Sequence, residues 1–520
     1  MFVINDIIRR AALVNGAGPA ILTDDGVVTW GEMRVLVERL AGGLRRRGLK
    51  RGDRVAILAV NSPRYYEIMF AVIWAGGVLV PINTRFSDKE ILYCLNDLEG
   101  AWVGADDALL QVVERLKGQV QGLQGLLHIG LEVPPAGYTG MAELASGDPA
   151  LVGADPLAKD VAMIYYTGGT TGLSKGVMLS HLQVKHTAQQ IAAAMKTEDP
   201  ICSDSVFVHA APMYHMADGA MCFTMAMVAG ANSFMTRYDI PAFVQHVNRH
   251  KVTHATLVPT MIKTLCDYLN THRLALPTLK GVLYGGAPMP PPVLELAMQT
   301  LPGVQLFQGY GSTEALIISV LEPQYHVLDV AHRDVLRSAG RPLAGVLIAI
   351  LDAEGRELPP GQVGEVCVRS NAVMKGYWKK PELTLKTLHG NWLHTGDAGY
   401  LDERGFLYLV DRVKDMVISG GENIYPKEVE NALLTCREID ECAVIGLPHD
   451  TWGEVVHAIV RPKPGAQLDE HSLTQLCRTL IAGYKLPKSF EFVDEELPRT
   501  SLGKIDKVAM RNARRGELRR

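Results

Sequence analysis

The amino-acid sequence predicts an α/β protein with a large N-terminal domain of doubly wound sheets, a small β-rich subdomain within it, and a small α+β domain at the C-terminus. Three observations support this fold class. Strand-like and helical segments alternate up to about residue 340. Short strands separated by turns with glycine and proline follow, and the last stretch of about 105 residues again mixes strands and helices. A chain of 520 residues has room for about two to four domains.

The first 160 residues show the pattern of β-α-β units. An amphipathic helix is predicted from Trp30 to about residue 44, and a strand follows at residues 54–60. A second helix begins near Pro63 and leads to a strand at residues 78–82. Strands joined by helices in this way form a parallel sheet that is covered on both faces.

Further strands are predicted in the middle of the chain, at residues 206–211, 255–258, 281–284 and 304–308. Several of them end at turns that contain glycine or histidine, namely residues 212–215 (PMYH), 285–288 (GGAP) and 309–314 (GYGSTE). In an open α/β sheet, ligands bind beyond the carboxyl ends of the strands. These turns are therefore expected to meet in one crevice.

A charged stretch, residues 411–415 (DRVKD), separates two apolar strands and is the predicted hinge between two domains. The N-terminal domain would comprise residues 1–410, with its β-rich subdomain at about residues 340–410. The C-terminal domain would comprise residues 416–520. Within it, a helix is predicted from Pro426, a favoured first helical residue, and further elements near residues 442–446, 455–461, 473–481 and 490–493.

Composition limits the classes of function. A net charge of −4 without a long basic stripe argues against a nucleic-acid partner. The eight cysteines are scattered without a C-x-x-C pair, so neither a zinc site nor a disulfide framework is indicated, and a cytoplasmic setting is expected. The longest apolar run, residues 68–82, is about 15 residues long and too short to span a bilayer.

Residues 165–177 (YYTGGTTGLSKGV) carry the strongest functional signal. Glycines let backbone N–H groups approach oxygen atoms, threonine hydroxyls donate further hydrogen bonds, and Lys175 supplies positive charge, so the loop suits a polyphosphate. The order of residues differs from the Walker A motif, in which the Gly-Lys pair opens a helix. A plain glycine-rich hairpin turn is the simpler alternative.

The same stretch also matches Gly-x-Ser-x-Gly at residues 172–176, the nucleophile elbow of α/β-hydrolases. That motif requires its serine at a strand-to-helix corner, whereas Ser174 is followed by a strand-like segment. A hydrolase that uses Ser174 stays open as an alternative.

Six motifs in order resemble those of the adenylate-forming superfamily, which includes acyl-CoA synthetases, luciferases and peptide-synthetase adenylation domains. They cover nearly the whole chain and are the loop at residues 165–177, GGAP at 285–288, YGSTE at 310–314, TGD at 395–397, DRVKD at 411–415 with GGENI at 420–424, and Gly503-Lys504. The resemblance implies an acyl-CoA synthetase that joins a carboxylic acid to AMP, releases pyrophosphate, and passes the acyl group to coenzyme A. It therefore implies ATP, Mg²⁺ and coenzyme A as cofactors.

The resemblance also assigns residues to the nucleotide. Thr170 and Glu314 would place Mg²⁺, and Asp397, assisted by Arg412, would accept hydrogen bonds from the ribose. Lys504 would stabilise the charge that develops between the attacking carboxylate and the α-phosphate. Together with His215 beside the acyl carboxylate, Lys504, Glu314 and Thr170 form the implied catalytic set. The implied ATP- and AMP-binding residues are Thr167, Gly168, Gly169, Thr170, Thr171, Gly172, Lys175, Gly285, Gly286, Ala287, Pro288, Gln308, Gly309, Tyr310, Gly311, Ser312, Thr313, Glu314, Asp397, Arg412 and Lys504.

Lys504 and coenzyme A cannot occupy the site together, so the C-terminal domain is expected to rotate about Lys414, the hinge position that the resemblance implies. This rotation would bring Gly420, Gly421 and Glu422 to a tunnel for coenzyme A. The chain departs from the family at Gly168, where serine is frequent, and at Ser174, where proline is common.

The implied acyl pocket has an apolar lining with several small residues, which suits a medium- or long-chain fatty acid or an aromatic acid such as a hydroxycinnamate. A charged substrate would lack partners there. Amino-acid-activating relatives carry an aspartate where this chain has Met216, and Asp218 is expected to point elsewhere. An enzyme that loads a carrier protein and a luciferase-like oxygenase stay open, as do the acid itself and the oligomeric state, a homodimer included. The implied lining is His215, Met216, Ala217, Met221, Tyr284, Gly286, Gly309, Ala315 and Leu316.

Overall fold

The computed structural model describes residues 2–149, 155–167, 174–287, 289–328, 334–412, 415–419, 422–449, 452–500 and 505–517. The chain divides into two compact units, Met1–Leu347 with Val368–Leu393 and Ile348–Cys367 with His394–Arg520. Helices and strands alternate in the first unit as predicted, and the α/β fold class is confirmed. Among the described residues, no helix is both long enough and apolar enough to cross a membrane.

Two of the first helices begin at capping signals that the sequence carries. Thr29 precedes the second helix, where its hydroxyl accepts from the backbone N–H of Glu32 while the Glu32 carboxylate accepts from the Thr29 N–H. Ser62 caps the third helix in the same position, and Pro63 is its first residue. In chain order the described helices, α1 to α15, are Ile4–Asn15, Trp30–Arg46, Pro63–Trp74, Asp88–Asp97, Leu110–Leu116, Met141–Ala145, His181–Ala194, Met216–Val228, Ile240–His250, Pro259–His272, Pro291–Thr300, Pro381–Thr387, Pro426–Leu433, Glu470–Arg478 and Lys507–Glu517.

The strands form two large sheets and two smaller ones in the described part of the chain. In chain order they are, as β1 to β27, Pro19–Thr23, Gly26–Thr29, Arg54–Leu58, Val78–Pro81, Ala101–Ala105, Gly125–His128, Tyr138–Gly140, Val161–Thr167, Lys175–Ser180, Val206–His209, Ala231–Phe234, His254–Leu257, Gly281–Gly285, Gln305–Ser312, Leu316–Leu321, Arg341–Pro342, Val346–Leu351, Gly364–Ser370, Gly376–Tyr377, Leu388–His389, Trp392–Leu401, Leu407–Arg412, Val417–Ser419, Glu422–Ile424, Ile439–His449, Gly453–Pro462 and Ser489–Phe492.

The larger sheet of the first unit has the strand order β16-β15-β14-β13-β12-β10-β11-β1-β2. Its central strands are parallel, as the β-α-β pattern predicts. Residues from these strands and from α9, α10 and α11 form one buried apolar cluster, in which Val244, Leu265, Val282 and Leu306 take part. The cluster holds the central strands and these helices together, so the strands end at one defined edge of the sheet.

The second sheet of the first unit has the order β19-β9-β8-β4-β3-β5-β6-β7. Strands β3, β4 and β5 are parallel, whereas β8 and β9 form an antiparallel hairpin. The short strand β19 pairs with β9 and extends the sheet beyond the hairpin. Both ends of the stretch at residues 165–177, which carries the strongest functional signal, therefore belong to this sheet.

Two smaller sheets contain the remaining strands. One has the order β17-β18-β21-β20, with β22 beside β21, and the other has the order β24-β23-β26-β25, with β27 beside β26. The second of these packs on α13 and α14 through buried residues that include Val429, Val444, Val456 and Leu473. Asp411 and Arg412, part of the predicted hinge, belong to β22. The hinge itself stays a prediction.

The structure corrects the sequence analysis at residues 309–312, which were expected to form a turn. They continue β14, because β15 returns antiparallel and pairs with them. Gly311 makes the close approach possible, since a Cβ there would lie 1.9 Å from the carbonyl oxygen of Leu316. Leu316 itself has a φ of 59°, which completes the tight reversal. The glycines of this motif thus serve a hairpin, a role that reading each strand separately does not reveal.

Candidate active site

The strand order brings the predicted turns to one edge of the larger sheet. Strands β10, β12, β13 and β14 are parallel neighbours, so their carboxyl ends share that edge. The segment before His215 leaves from β10, and Gly286 and Ala287 follow β13. Because neighbouring strands lie about 4.8 Å apart, these two segments leave the sheet roughly 10 Å from each other. Both predicted site segments therefore lie at the same edge of the larger sheet.

Glycine keeps the backbone accessible at this edge. Gly285 pairs with Gly309, and a Cβ at Gly285 would lie 2.3 Å from the carbonyl oxygen of Gly309. Gly286 has a φ of 73°, a conformation that favours glycine, and it is exposed together with Ala287. A larger side chain at Gly286 or Ala287 would cover the surface on which the adenine is expected to lie.

The hairpin of β8 and β9 defines the two ends of the proposed phosphate loop. Thr167 and Lys175 are directly paired across the hairpin, so both end residues of the loop start from one point of the sheet. Ser174 is buried and precedes β9, and the next helix, α7, begins only at His181. Within the described residues from Ser174 to His181, the strand-to-helix corner that a nucleophile elbow requires directly after its serine is therefore absent.

Tyr377, a residue that the sequence analysis did not single out, connects two predicted site residues. Its hydroxyl donates to Oε1 of Glu314 at 2.9 Å, and Nζ of Lys175 lies 4.7 Å from the centroid of its ring. Burial first, and then the charge and hydrogen bond of Glu314, raise the pKa of Tyr377 well above its ordinary value, so the hydroxyl remains a donor. Tyr377 thus contacts both the ammonium group of Lys175, which suits a phosphate, and the carboxylate of Glu314, which suits a hard metal ion.

We expect Tyr377→Phe to raise the KM for Mg²⁺-ATP by about tenfold, because a hydrogen bond to a charged group is worth about 1.5 kcal/mol or more. The ring and its contact with Lys175 are retained in this variant, so the change isolates the hydroxyl. Steady-state pyrophosphate release at varied ATP measures the effect. Tyr484→Phe, at an exposed position, is the control. Unchanged KM values in Tyr377→Phe would remove Tyr377 from the site.

His215 lies directly before α8, and its ring packs at 62° against Tyr214 with the ring centroids 4.7 Å apart. The residues predicted to line the acyl pocket differ in exposure. Met216 and Met221 are buried on α8, Ala315 and Leu316 are buried at the start of β15, and Ala217 is exposed. The buried Tyr284 donates to Oε1 of Gln308 at 3.2 Å and contacts His326, whose pKa burial lowers to about 4. The lining of the pocket remains a prediction.

Asp218 is engaged away from the predicted pocket, in a buried network with His209. Nδ1 of His209 lies 2.6 Å from Oδ2 of Asp218, and neither side chain is exposed. Nε2 of His209 lies 3.0 Å from Oδ1 of Asn232, whose amide nitrogen donates to the Ala20 carbonyl and the Tyr66 hydroxyl. Oδ1 of Asn232 must therefore accept a hydrogen bond from Nε2–H of His209.

This hydrogen-bond pattern leaves one further proton between His209 and Asp218. Burial opposes the charged imidazolium, whereas the charge and hydrogen bond of Asp218 raise the pKa of His209. Burial also raises the pKa of Asp218, so the two side chains share this proton in a buried hydrogen bond, which attaches the first turn of α8 to the end of β10.

Asp397, in the second unit, lies on strand β21, where hydrogen bonds to side chains hold the backbone around it. Gly396 has a φ of 70°, and its N–H donates to Oε1 of Glu365 at 3.0 Å. The Asp397 N–H donates to the Thr395 hydroxyl at 3.0 Å, and the Cα atoms of Asp397 and Arg412 are partners across β21 and β22. The sequence analysis missed Glu365, because this residue belongs to the neighbouring strand β18 and nothing in the sequence around Asp397 points to it.

Some of the predicted residues cannot be placed. The side chains of Arg412 and Glu422 are outside the described part of the chain, and so are, in full, Gly168, Gly169, Thr170, Thr171, Gly172, Pro288, Lys414, Gly420, Gly421 and Lys504. Among the predicted residues that are described, Lys175 and Glu314 are brought together through Tyr377.

Comparisons with known proteins match over the whole length of the chain. Residues 8–378 match the family described as AMP-binding enzyme, and residues 428–504 match the AMP-binding enzyme C-terminal domain. Feruloyl-CoA synthase of Amycolatopsis sp is 38% identical over 509 residues, which cover 97% of each chain. Fatty acid--[acyl-carrier-protein] ligase ScoC of Streptomyces coeruleorubidus is 34% identical over 95% of this chain and 93% of its own. The crystal structure of ATP-bound MatB from Rhodopseudomonas palustris superposes with a TM-score of 0.86 at 30% identity and covers 99% of both chains.

Proposed function

The chain belongs to the AMP-binding enzyme family and is an AMP-forming acyl-CoA synthetase, and we propose that its acid substrate is apolar. The acid would be a medium- or long-chain fatty acid or an aromatic acid such as a hydroxycinnamate. ATP and coenzyme A are the other substrates. The full-length similarity to a feruloyl-CoA synthase is the observation that carries this proposal.

The state of Asp218 supports a substrate without an ammonium group. An ammonium group in the pocket would require a carboxylate near the start of α8, and the acidic residue of that turn is Asp218. Its carboxylate is already paired with His209 and fully buried. An amino acid would therefore lose the hydration of its ammonium group without a replacement partner.

The first half-reaction requires that the charge of the triphosphate be screened and that the acid reach the α-phosphate. We assign the first task to Thr167, the loop that follows it, and Lys175. Glu314, held by Tyr377, offers a hard oxygen ligand that fits Mg²⁺, with Thr170 as its predicted companion. When bound, the ion would screen the charge of the triphosphate and stabilise the departing pyrophosphate. Lys504 would act at the α-phosphate, opposite the attacking carboxylate.

The second half-reaction requires that the thiol of coenzyme A reach the acyl-adenylate. Because Lys504 and the thiol need the same space, the C-terminal domain, residues 416–520, would rotate about Lys414 between the two steps. Gly420, Gly421 and Glu422 would then line the entry path, where glycine allows the pantetheine arm to approach the backbone closely.

A carrier protein is the second candidate for the acyl acceptor. The similarity to ScoC, whose name describes transfer of a fatty acid to acyl-carrier protein, favours it. The two acceptors share a phosphopantetheine thiol, so the first half-reaction would be the same. Product analysis with coenzyme A and with a phosphopantetheinylated carrier protein separates them.

The proposal is tested by pyrophosphate release over a panel of acids, with coenzyme A supplied. The panel contains fatty acids from acetate to stearate, benzoate- and cinnamate-type acids, and amino acids of similar size. We expect turnover with apolar acids of medium or greater size and none with amino acids. Absence of an acyl-adenylate with every acid of the panel would refute the proposed substrate class.

We expect Ser174→Ala to keep at least about half of the ATP-dependent activity, because Ser174 lacks the elbow geometry of a nucleophile. The hydrolase alternative predicts ATP-independent cleavage of esters that disappears in this variant. Assays of p-nitrophenyl ester cleavage and of pyrophosphate release on the same protein distinguish the two. Esterase activity that depends on Ser174 would restore the hydrolase interpretation.

A further inference from the structure

Three potential metal ligands of different chemistry meet in the second unit, on two neighbouring strands. Glu365 and Cys367 lie two residues apart on β18, so their side chains share one face, and His394 lies on the adjacent β21. Nδ1 of His394 is 2.8 Å from Oε2 of Glu365 and 3.4 Å from Sγ of Cys367. One ligand atom from each residue falls within 4.8 Å of the others.

These distances are close to those of a tetrahedral metal centre. With metal–sulfur distances of about 2.3 Å and metal–nitrogen distances of about 2.0 Å, the ligand atoms around Zn²⁺ lie roughly 3.3–3.7 Å apart. The nitrogen–oxygen separation of 2.8 Å and the nitrogen–sulfur separation of 3.4 Å lie within about 0.5 Å of this spacing.

We propose that Glu365, Cys367 and His394 form a binding site for Zn²⁺ or a similar divalent transition-metal ion, with a water molecule as fourth ligand. A thiolate and an imidazole select such ions over Mg²⁺ or Ca²⁺. On binding, the Cys367 thiol would release its proton to solvent. The charges of the thiolate and the Glu365 carboxylate would then balance those of the ion, which leaves no net charge next to the buried sulfur.

The burial of the three side chains suits this role. Cys367 is fully buried, whereas the side chains of His394 and Glu365 are 14% and 27% exposed, so an ion can enter from the solvent side. The second oxygen of Glu365 accepts from the N–H of Gly396 and stays available for that bond. Sequence patterns do not reveal this site, because its ligands have no C-x-x-C spacing and His394 is far along the chain from the other two.

Cobalt(II) binding tests the site directly and does not depend on enzymatic activity. Titration of the purified full-length chain with Co²⁺ under reducing conditions is expected to saturate at one equivalent. Visible absorption bands typical of tetrahedral Co²⁺ and a thiolate charge-transfer band in the near ultraviolet should appear, and excess Zn²⁺ should bleach them.

The ligand variants decide between this site and adventitious binding. Cys367→Ser should lose the charge-transfer band, and Glu365→Gln should weaken Co²⁺ binding by about tenfold or more. Cys436→Ser is the matched control, because Cys436 also lies beside a glutamate, with Sγ 3.2 Å from Glu438, and should change nothing. Circular dichroism checks folding, and if Cys367→Ser does not fold, the partly exposed Glu365→Gln decides. No charge-transfer band in the wild type, or affinity that is unchanged in Glu365→Gln, would overturn the proposal.

Discussion

Replacement of Lys504 by alanine is expected to slow acyl-adenylate formation by about 10²–10³-fold, the cost of losing one donor placed at developing charge. The ammonium group would stabilise the transition state, in which the carboxylate attacks the α-phosphate and negative charge accumulates on its oxygens. The thioester step, started from synthetic acyl-adenylate and coenzyme A, should keep most of its rate, because Lys504 would have left the site by then. Single-turnover assays of each half-reaction measure the two effects separately.

Lys463→Ala provides the control for Lys504→Ala, since it removes an exposed lysine from the same unit. It should leave both half-reactions within about twofold of the wild-type rate. If Lys504→Ala slowed both half-reactions equally, the lysine would serve the fold or the nucleotide in general, and domain rotation would lose its main argument.

The Asp218→Ala substitution is expected to lower the free energy of unfolding by about 1–3 kcal/mol, because it removes the carboxyl group that is hydrogen-bonded to Nδ1 of the buried His209. The loss should be present at neutral pH, where the pair is formed. Burial and the bond to Asn232 hold His209 in place, so the ring cannot reach water to compensate. Urea unfolding followed by fluorescence measures the change.

Asp204→Ala is the matched control for Asp218→Ala, as this aspartate lies exposed on the segment before β10. A change within about 0.5 kcal/mol is expected there. A loss below about 1 kcal/mol in Asp218→Ala would show that the pair contributes little, and that α8 is held by its apolar contacts alone.

Local signals in the sequence were sufficient for most of the fold. Thr29 and Glu32, and Ser62 before Pro63, mark helix starts by bonds within a few residues, and the sequence analysis placed both helices correctly. The shared edge of β10, β13 and β14 followed from the general rule for parallel sheets.

The site was less predictable where its contacts join distant parts of the chain. Glu314 and Lys175 appear in recognisable motifs, but Tyr377, which contacts both, lies on a strand of two residues without a periodic pattern. Asp218 and His209 are close in sequence, but their pairing depends on Asn232, which belongs to the neighbouring strand β11. The continuation of β14 through residues 309–312 depends on its pairing with β15, and a single strand read by itself gives no sign of it.

The attachment of α8 through Asp218 bears on how this enzyme could be given a new substrate. A change at Asp218 would destabilise the protein before it altered selectivity, so engineering should leave that position intact. Gly309 and Ala315, which are predicted to line the acyl pocket, are the better targets, because larger residues there are expected to shorten the space for an acyl chain while α8, which begins directly after His215, stays anchored.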